Sequence, residues 1–145
     1  MFTNRRRIRI EWGDCDPAGI VYYPRYFALF DAATDALFEA AGFKMRELIR
    51  TYRIVGIPVV DVRAQFYIPS AFGDDVDVET SITKWGRSSF EVCHRLLRNS
   101  ALAVEGFEKR VWVVRPPDNP DALKSAAIPA NVIERFACGG INAVQ

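Results

Sequence analysis

The sequence predicts an α+β domain in which an antiparallel sheet covers one long helix. Three observations predict it. A strand-like run opens the chain and is followed by a single long amphipathic helix. From Pro58 onward the apolar pattern changes from helical spacing to alternation, through four further strands. Those strands are joined by short turns rather than by helices, which makes the sheet antiparallel. The chain has 145 residues, half of them hydrophobic, the size and composition of one domain with its own core.

Residues 6–12 read as the first strand and 13–19 as a loop. The helix runs from Pro24 to Ala41. Phe27, Phe30, Ala33, Thr34, Leu37, Phe38 and Ala41 recur on one face at helical spacing. Pro24 suits a first turn, where its missing N–H costs nothing, and Gly42 suits the stop. Ala28, Ala32, Ala36 and Ala40 make a second, narrow stripe, read as the side that sits close against the sheet. A short extra helix is expected over 44–51.

The second strand is expected over 58–68. Pro58, Val60, Val62, Ala64, Phe66 and Ile68 form its apolar face, with Val59, Asp61, Arg63, Gln65 and Tyr67 on a mixed one. Pro69 to Gly73 is a turn. Val76, Val78 and Ile82 alternate with Asp75, Asp77, Glu79 and Thr83 in a strand with one wet side. Trp85-Gly86-Arg87-Ser88 reads as a hairpin connection. Phe90, Val92 and Leu96, then Phe107, Val111 and Val113, mark two more strands. Pro116 to Pro120 breaks the pattern. Residues 129–136 read as a terminal helix and 137–145 as a frayed tail. The whole chain is one domain with a core over about 5–136.

A formal net charge of +1 gives no global attraction to nucleic acid or to an anionic membrane. Arg5, Arg7 and Arg9 alternate along the first strand and read as a solvated edge face, because no aromatic platform is interleaved with them. The N-terminal arginines lead into no apolar core with a cleavage site. The long helix carries Asp31, Asp35 and Glu39 and is no membrane span. Cys15, Cys93 and Cys138 are too few and too scattered for a disulfide framework or a zinc set. A reducing cytoplasm is the expected location. No metal and no cofactor is expected.

The most specific stretch is Arg9-Ile10-Glu11-Trp12-Gly13-Asp14-Cys15-Asp16-Pro17-Ala18-Gly19-Ile20-Val21-Tyr22-Tyr23-Pro24-Arg25-Tyr26. A strand ends in two acids, passes a Pro and Gly turn and feeds a helix. A carboxylate is thereby held beside the free N–H groups of a helix start, which favour negative charge. Arg9, Ile10, Cys15, Asp16, Gly19, Ile20, Val21, Pro24 and Tyr26 occupy the fixed positions of a known signature. The stretch resembles that of the 4-hydroxybenzoyl-CoA thioesterase family of hot-dog-fold proteins. The resemblance runs over about residues 5–136 and is strongest at 9–33. Its fold, a sheet wrapped around one long helix, agrees with the element order read independently above.

The resemblance implies hydrolysis of an acyl-CoA to free acid and CoA, with CoA belonging to the substrate. It assigns Asp16 as the carboxylate that acts on the thioester carbonyl, as nucleophile or as base for water. Asp14 is the better candidate for a purely structural turn role. The backbone N–H of Tyr23 is implied as the oxyanion donor, and the ring of Tyr22 as a wall of the acyl pocket. Asp31 is implied to receive the hydroxyl of an aromatic acid. On spacing alone it belongs to a solvated stripe with Asp35 and Glu39. Arg87, in the hairpin turn, is implied as a phosphate contact. The family's turn is more basic there, Gly86 and Ser88 replacing cations, and Lys84 is the nearest compensation.

His94 is the single histidine. It falls in phase with apolar Phe90, Val92 and Leu96, as a hydrogen-bonded core residue would. With no second histidine beside this core one and no Gly-x-Ser-x-Gly elbow, the sequence argues against a Ser-His-Asp mechanism. Cys15 lies between acids, which disfavour its thiolate. The substrate implied is an aromatic acyl-CoA, above all 4-hydroxybenzoyl-CoA. The alternatives are a thioesterase for short aliphatic acyl-CoAs and a non-catalytic acyl-CoA-binding hot-dog protein. Pro24, where the aliphatic branch usually carries His, favours the aromatic branch. A homodimer or homotetramer is implied, with sites at subunit junctions.

Overall fold

The computed structural model describes residues 1–137 and 141–144; residues 138–140 and 145 lie outside the description. The elements are β1 (Thr3–Arg9), α1 (Pro24–Ala40), α2 (Met45–Tyr52), β2 (Val59–Phe66), β3 (Asp75–Trp85), β4 (Ser89–Arg98), β5 (Ala101–Val111), β6 (Val113–Val114), β7 (Lys124–Ser125), α3 (Ala130–Ala137) and β8 (Ile141–Val144). The main sheet has the order β2-β5-β4-β3-β1-β8. Its first five strands pair antiparallel, and β8 lies parallel to β1. This is the α+β hot-dog layout, with α1 against one face of the sheet.

Four expectations need correction. The first strand is Thr3–Arg9, not 6–12. The Asp14 carboxylate accepts the Glu11 N–H at 2.9 Å and winds residues 12–14 into a 3-10 turn, which ends the strand early. The tail is not wholly frayed, since residues 141–144 pair with β1. β1 is therefore no edge strand. Arg5 and Arg7 reach Asp77 on β3 at 3.1 and 3.2 Å, and Arg5 reaches Glu79 at 3.6 Å. Finally, the alanine stripe does not face the sheet along its length, since only Ala40 of it packs, partly buried, against the core. Tyr26, Phe30, Ala33, Thr34, Leu37 and Phe38 are buried there instead, because they remove more surface from water. Ala28 and Ala32 are exposed.

The turns follow their residues. Gly86 N–H donates to Ser89 O in the β3–β4 hairpin. Asn99 and Ser100 join β4 to β5 with φ of +49° and +66°, the paired left-handed geometry of a two-residue hairpin loop.

The interior is two apolar clusters separated by a polar belt. One cluster holds Leu37, Phe38, Phe90, Val92, Trp112 and Phe136, the other Ile10, Phe30, Val76, Val78, Leu96 and Val104. Where each element crosses from one to the other it carries a polar residue. On α1 this is Thr34, on β3 Thr80, on β4 His94 and on β5 Glu108, all buried. Asn4 on β1 lies opposite Thr80, and Thr80 lies opposite His94. His94 lies opposite Gly106. A Cβ at Gly106 would sit 2.5 Å from the Phe30 ring, so only glycine admits that ring. Phe30 stacks on His94 with ring centroids 4.7 Å apart.

Strand β2 departs from this order. Its sequence alternates as expected, yet Val60, Val62 and Phe66 are exposed. It pairs only with β5, so its outer edge and its apolar side chains stay uncovered among the described residues. No helix among the described residues is long and apolar enough to cross a membrane.

Candidate active site

The signature loop is closed by its own backbone. Cys15 and Val21 form an antiparallel bridge. Inside it, Gly19 N–H donates to Asp16 O at 2.9 Å and Asp16 N–H to Ile20 O at 3.1 Å. Pro17 pre-sets the turn, and Gly19 takes φ of +81°, which favours glycine. Val21 N–H donates to Ser70 O, fixing the loop to the turn before β3.

Asp16 stands at the head of this turn, half-buried. Its Oδ1 accepts the Ala18 N–H at 2.8 Å, and its Oδ2 has no hydrogen bond among the described residues. The structural role for which Asp14 is the better candidate is thus shared by both acids. Asp14 holds the 3-10 turn and Asp16 makes an Asx-type turn, because each carboxylate lies next to a free N–H of its own loop. Tyr22 N–H donates to Asp14 O at 2.8 Å. Tyr23 N–H, at the mouth of α1, finds no acceptor among the described residues. One free carboxylate oxygen and one free helix-start N–H therefore belong to one short, backbone-locked loop. Tyr23 lines a cavity of about 220 Å³ with Ile20, Tyr26, Phe66, Tyr67 and Ile68, while Asp16 is not among its lining residues. The Tyr22 ring is exposed and meets Tyr23 edge-on at 5.6 Å.

Asp31 and Arg87 lie elsewhere, and neither lines that cavity. Asp31 is on the outer side of α1, with a side chain 64% exposed. It is not merely part of a solvated stripe, since its Oδ1 accepts a 2.7 Å hydrogen bond from Nη2 of buried Arg110. Asp35, one turn further, has its carboxyl pushed up by burial and by the charge of Asp31, with Arg110 pulling the other way. Arg87 stands with Arg115 and Lys124 around a groove of about 300 Å³, where Asp118 is the one acid among the lining residues. A further cavity of about 510 Å³, lined by Arg63, Cys93 and Phe107 among others, holds none of the expected residues.

Sequence reasoning missed Glu108 and Arg110. Glu108 Oε1 accepts from Thr34 Oγ1 at 2.8 Å and from His94 Nε2, and its Oε2 accepts from Nε and Nη2 of Arg110. Burial alone pushes this carboxyl up. The hydrogen bond from His94, with Arg110 and Thr34, outweighs it and holds the group below the ordinary carboxylate range. His94 is fully buried and also meets Thr80 Oγ1 through Nδ1 at 2.9 Å, the hydrogen-bonded core residue expected of it. The available signal was His94 itself. A histidine on an apolar strand face needs partners, and the alternation of β5 turns Glu108 and Arg110 to that face.

A sheet around one helix, with a carboxylate loop at the helix mouth, defines a hot-dog thioesterase domain. The thioesterase-like superfamily model matches residues 10–136, and the chain belongs to that family. It is 35% identical over 132 residues to a 4-hydroxybenzoyl-CoA thioesterase of Pseudomonas sp. (strain CBS-3), covering 87% of this chain and 92% of that one. Its structure matches a crystal structure of a 4-hydroxybenzoyl CoA thioesterase, an aspartate-to-asparagine mutant complexed with 4-hydroxybenzoyl CoA. The TM-score is 0.86 at 32% identity, over 94% of this chain and 99% of that one. It also matches a gentisyl-coenzyme A thioesterase, with a TM-score of 0.78 at 34% identity, over 92% and 98% of the two chains.

Proposed function

We propose that this acyl-CoA thioesterase hydrolyses the CoA ester of a hydroxylated aromatic acid, 4-hydroxybenzoyl-CoA first among them. The observation that carries the mechanism is the locked loop, which presents Asp16 Oδ2 and Tyr23 N–H with no partners of their own. Water adds across the acyl–sulfur bond, and CoA leaves as the thiol. Asp16 supplies the carboxylate for that addition, and Tyr23 N–H receives the charge that develops on the carbonyl oxygen. A donor fixed by the backbone needs no reorganisation when that charge forms.

The choice of acid rests on two supports. The relatives at 32–35% identity are named for hydroxylated benzoyl esters. Asp31 keeps one carboxylate oxygen free on an exposed helix face. A ring hydroxyl donated to that oxygen is rewarded, while an unsubstituted ring leaves it unmatched. Tyr22 contributes aromatic surface to the acyl pocket. The cations Arg87, Arg115 and Lys124 supply a surface for CoA phosphates and offset the loss of basic residues at Gly86 and Ser88. A panel of acyl-CoA esters with free-thiol detection tests the reading. Aryl esters should lead it. Faster aliphatic hydrolysis would move the enzyme to the aliphatic branch, and no turnover at all would make it a binder.

Asp31→Ala should lower kcat/KM for 4-hydroxybenzoyl-CoA relative to benzoyl-CoA by roughly ten- to a hundredfold, the worth of one hydrogen bond to a charged acceptor. An equal fall for both esters would return Asp31 to the solvated stripe.

The active unit is at least a dimer. The open edge and exposed valines of β2 are a surface that pairing covers. A site shared between copies would also account for Asp31 lying away from the cavity beside Tyr23. Light scattering at micromolar concentration should give a mass of two chains or more, and a monomer would contradict this.

A further inference from the structure

We infer that Arg110 is the positioning residue for Asp31, fixing which carboxylate oxygen is left to meet the substrate's ring. The inference rests on the reading of Asp31 as the acceptor of a ring hydroxyl. Arg110 is buried, and its guanidinium is anchored on three sides. Nε and Nη2 donate to Glu108 Oε2, and Nη1 donates to Ile57 O at 3.1 Å. Glu108 is itself held by His94 and Thr34, so the fork cannot swing. Nη2 then reaches out of the core and binds Asp31 Oδ1 at 2.7 Å.

Charge balance does not require that last bond. Glu108 already neutralises Arg110 inside the core. The link to Asp31 is additional, and it joins a rigid buried cation to an exposed, otherwise mobile side chain. Its effect is to pin Oδ1 and leave Oδ2 as the acceptor. The belt that divides the core thus sets the direction of a carboxylate on the surface. Lysine in place of Arg110 keeps the charge but loses the planar fork that serves Glu108, Ile57 O and Asp31 together.

The test compares 4-hydroxybenzoyl-CoA with benzoyl-CoA in the wild type, Asp31→Ala, Arg110→Lys and the double variant, each checked for folding by circular dichroism. The quantity read is the ratio of the two kcat/KM values, in which general damage cancels. Arg110→Lys should lower the ratio about tenfold, within the range for a hydrogen bond to a charged acceptor. The double variant should be no lower than Asp31→Ala alone, since Arg110 acts through Asp31. If Arg110→Lys does not fold, the neutral pair Arg110→Gln with Glu108→Gln carries the same comparison without a stranded buried charge. An unchanged ratio in the Arg110 variant, with a lowered one in Asp31→Ala, would overturn the inference and leave the Asp31 reading standing. An unchanged ratio in Asp31→Ala would overturn both.

Discussion

Asp16→Asn should fold like the parent and lose about 10²- to 10⁴-fold in turnover, the span expected for a carboxylate acting as base, with a nucleophile's loss at the upper end. The two effects separate because the two oxygens of Asp16 have different partners. Oδ1 accepts the Ala18 N–H, and the Asn carbonyl oxygen can keep that bond and the turn with it. Oδ2 is the free oxygen, and an amide nitrogen there neither attacks a thioester nor takes a proton from water. Thermal unfolding should therefore move little while steady-state hydrolysis collapses. Unchanged turnover in a folded variant would remove Asp16 from the mechanism.

Glu108→Ala should be the most damaging substitution to stability. It strips acceptors from Thr34, His94 and Arg110 at once and leaves a cation unpaired in the core. Removing one partner of a buried ion pair costs about 3–5 kcal/mol. For a domain of this size that is roughly a 10–20 °C fall in Tm. The pH dependence has a definite sign. The folded carboxyl lies below its ordinary value, so its contribution is complete above the unfolded-state value and fades as pH falls through the folded one. The Tm gap between parent and variant should therefore narrow in acid. A shift of only a degree or so at neutral pH would show that the belt adds little.

The parts of the molecule legible in the sequence are those whose signals are local and repeated. α1 shows seven sheet-facing positions at helical spacing, and they largely hold, though Thr34 in that row turns out to be polar for a reason. The β3–β4 hairpin was legible from Trp85-Gly86-Arg87-Ser88 and the signature loop from its many fixed positions, whereas the Asn99-Ser100 hairpin was not read. Nor was the register of the belt. Phe107 and Val111 mark β5 in the sequence, while the structure buries the alternate positions Glu108 and Arg110. The alanine stripe misled because small residues fit close packing but do not compel it. β2 alternates as the sequence indicates, yet its apolar residues Val60, Val62 and Phe66 are exposed, because no described element packs over them. Asp31 had a visible carboxylate and an invisible partner 79 positions away.

The missing side chain at Gly106 acts as a keyway. The Phe30 ring drops into it and is clamped by His94, which indexes α1 over the sheet in both rotation and height. A helix sliding by one residue would offer Leu29 or Asp31 to the same notch, and neither stacks on an imidazole. The Tyr23 N–H lies two turns before Phe30, and Asp31 lies one residue after it. Their heights above the sheet are both set by that single notch. A methyl group at position 106 would therefore act at a distance, shifting Tyr23 and Asp31 together, although it touches neither.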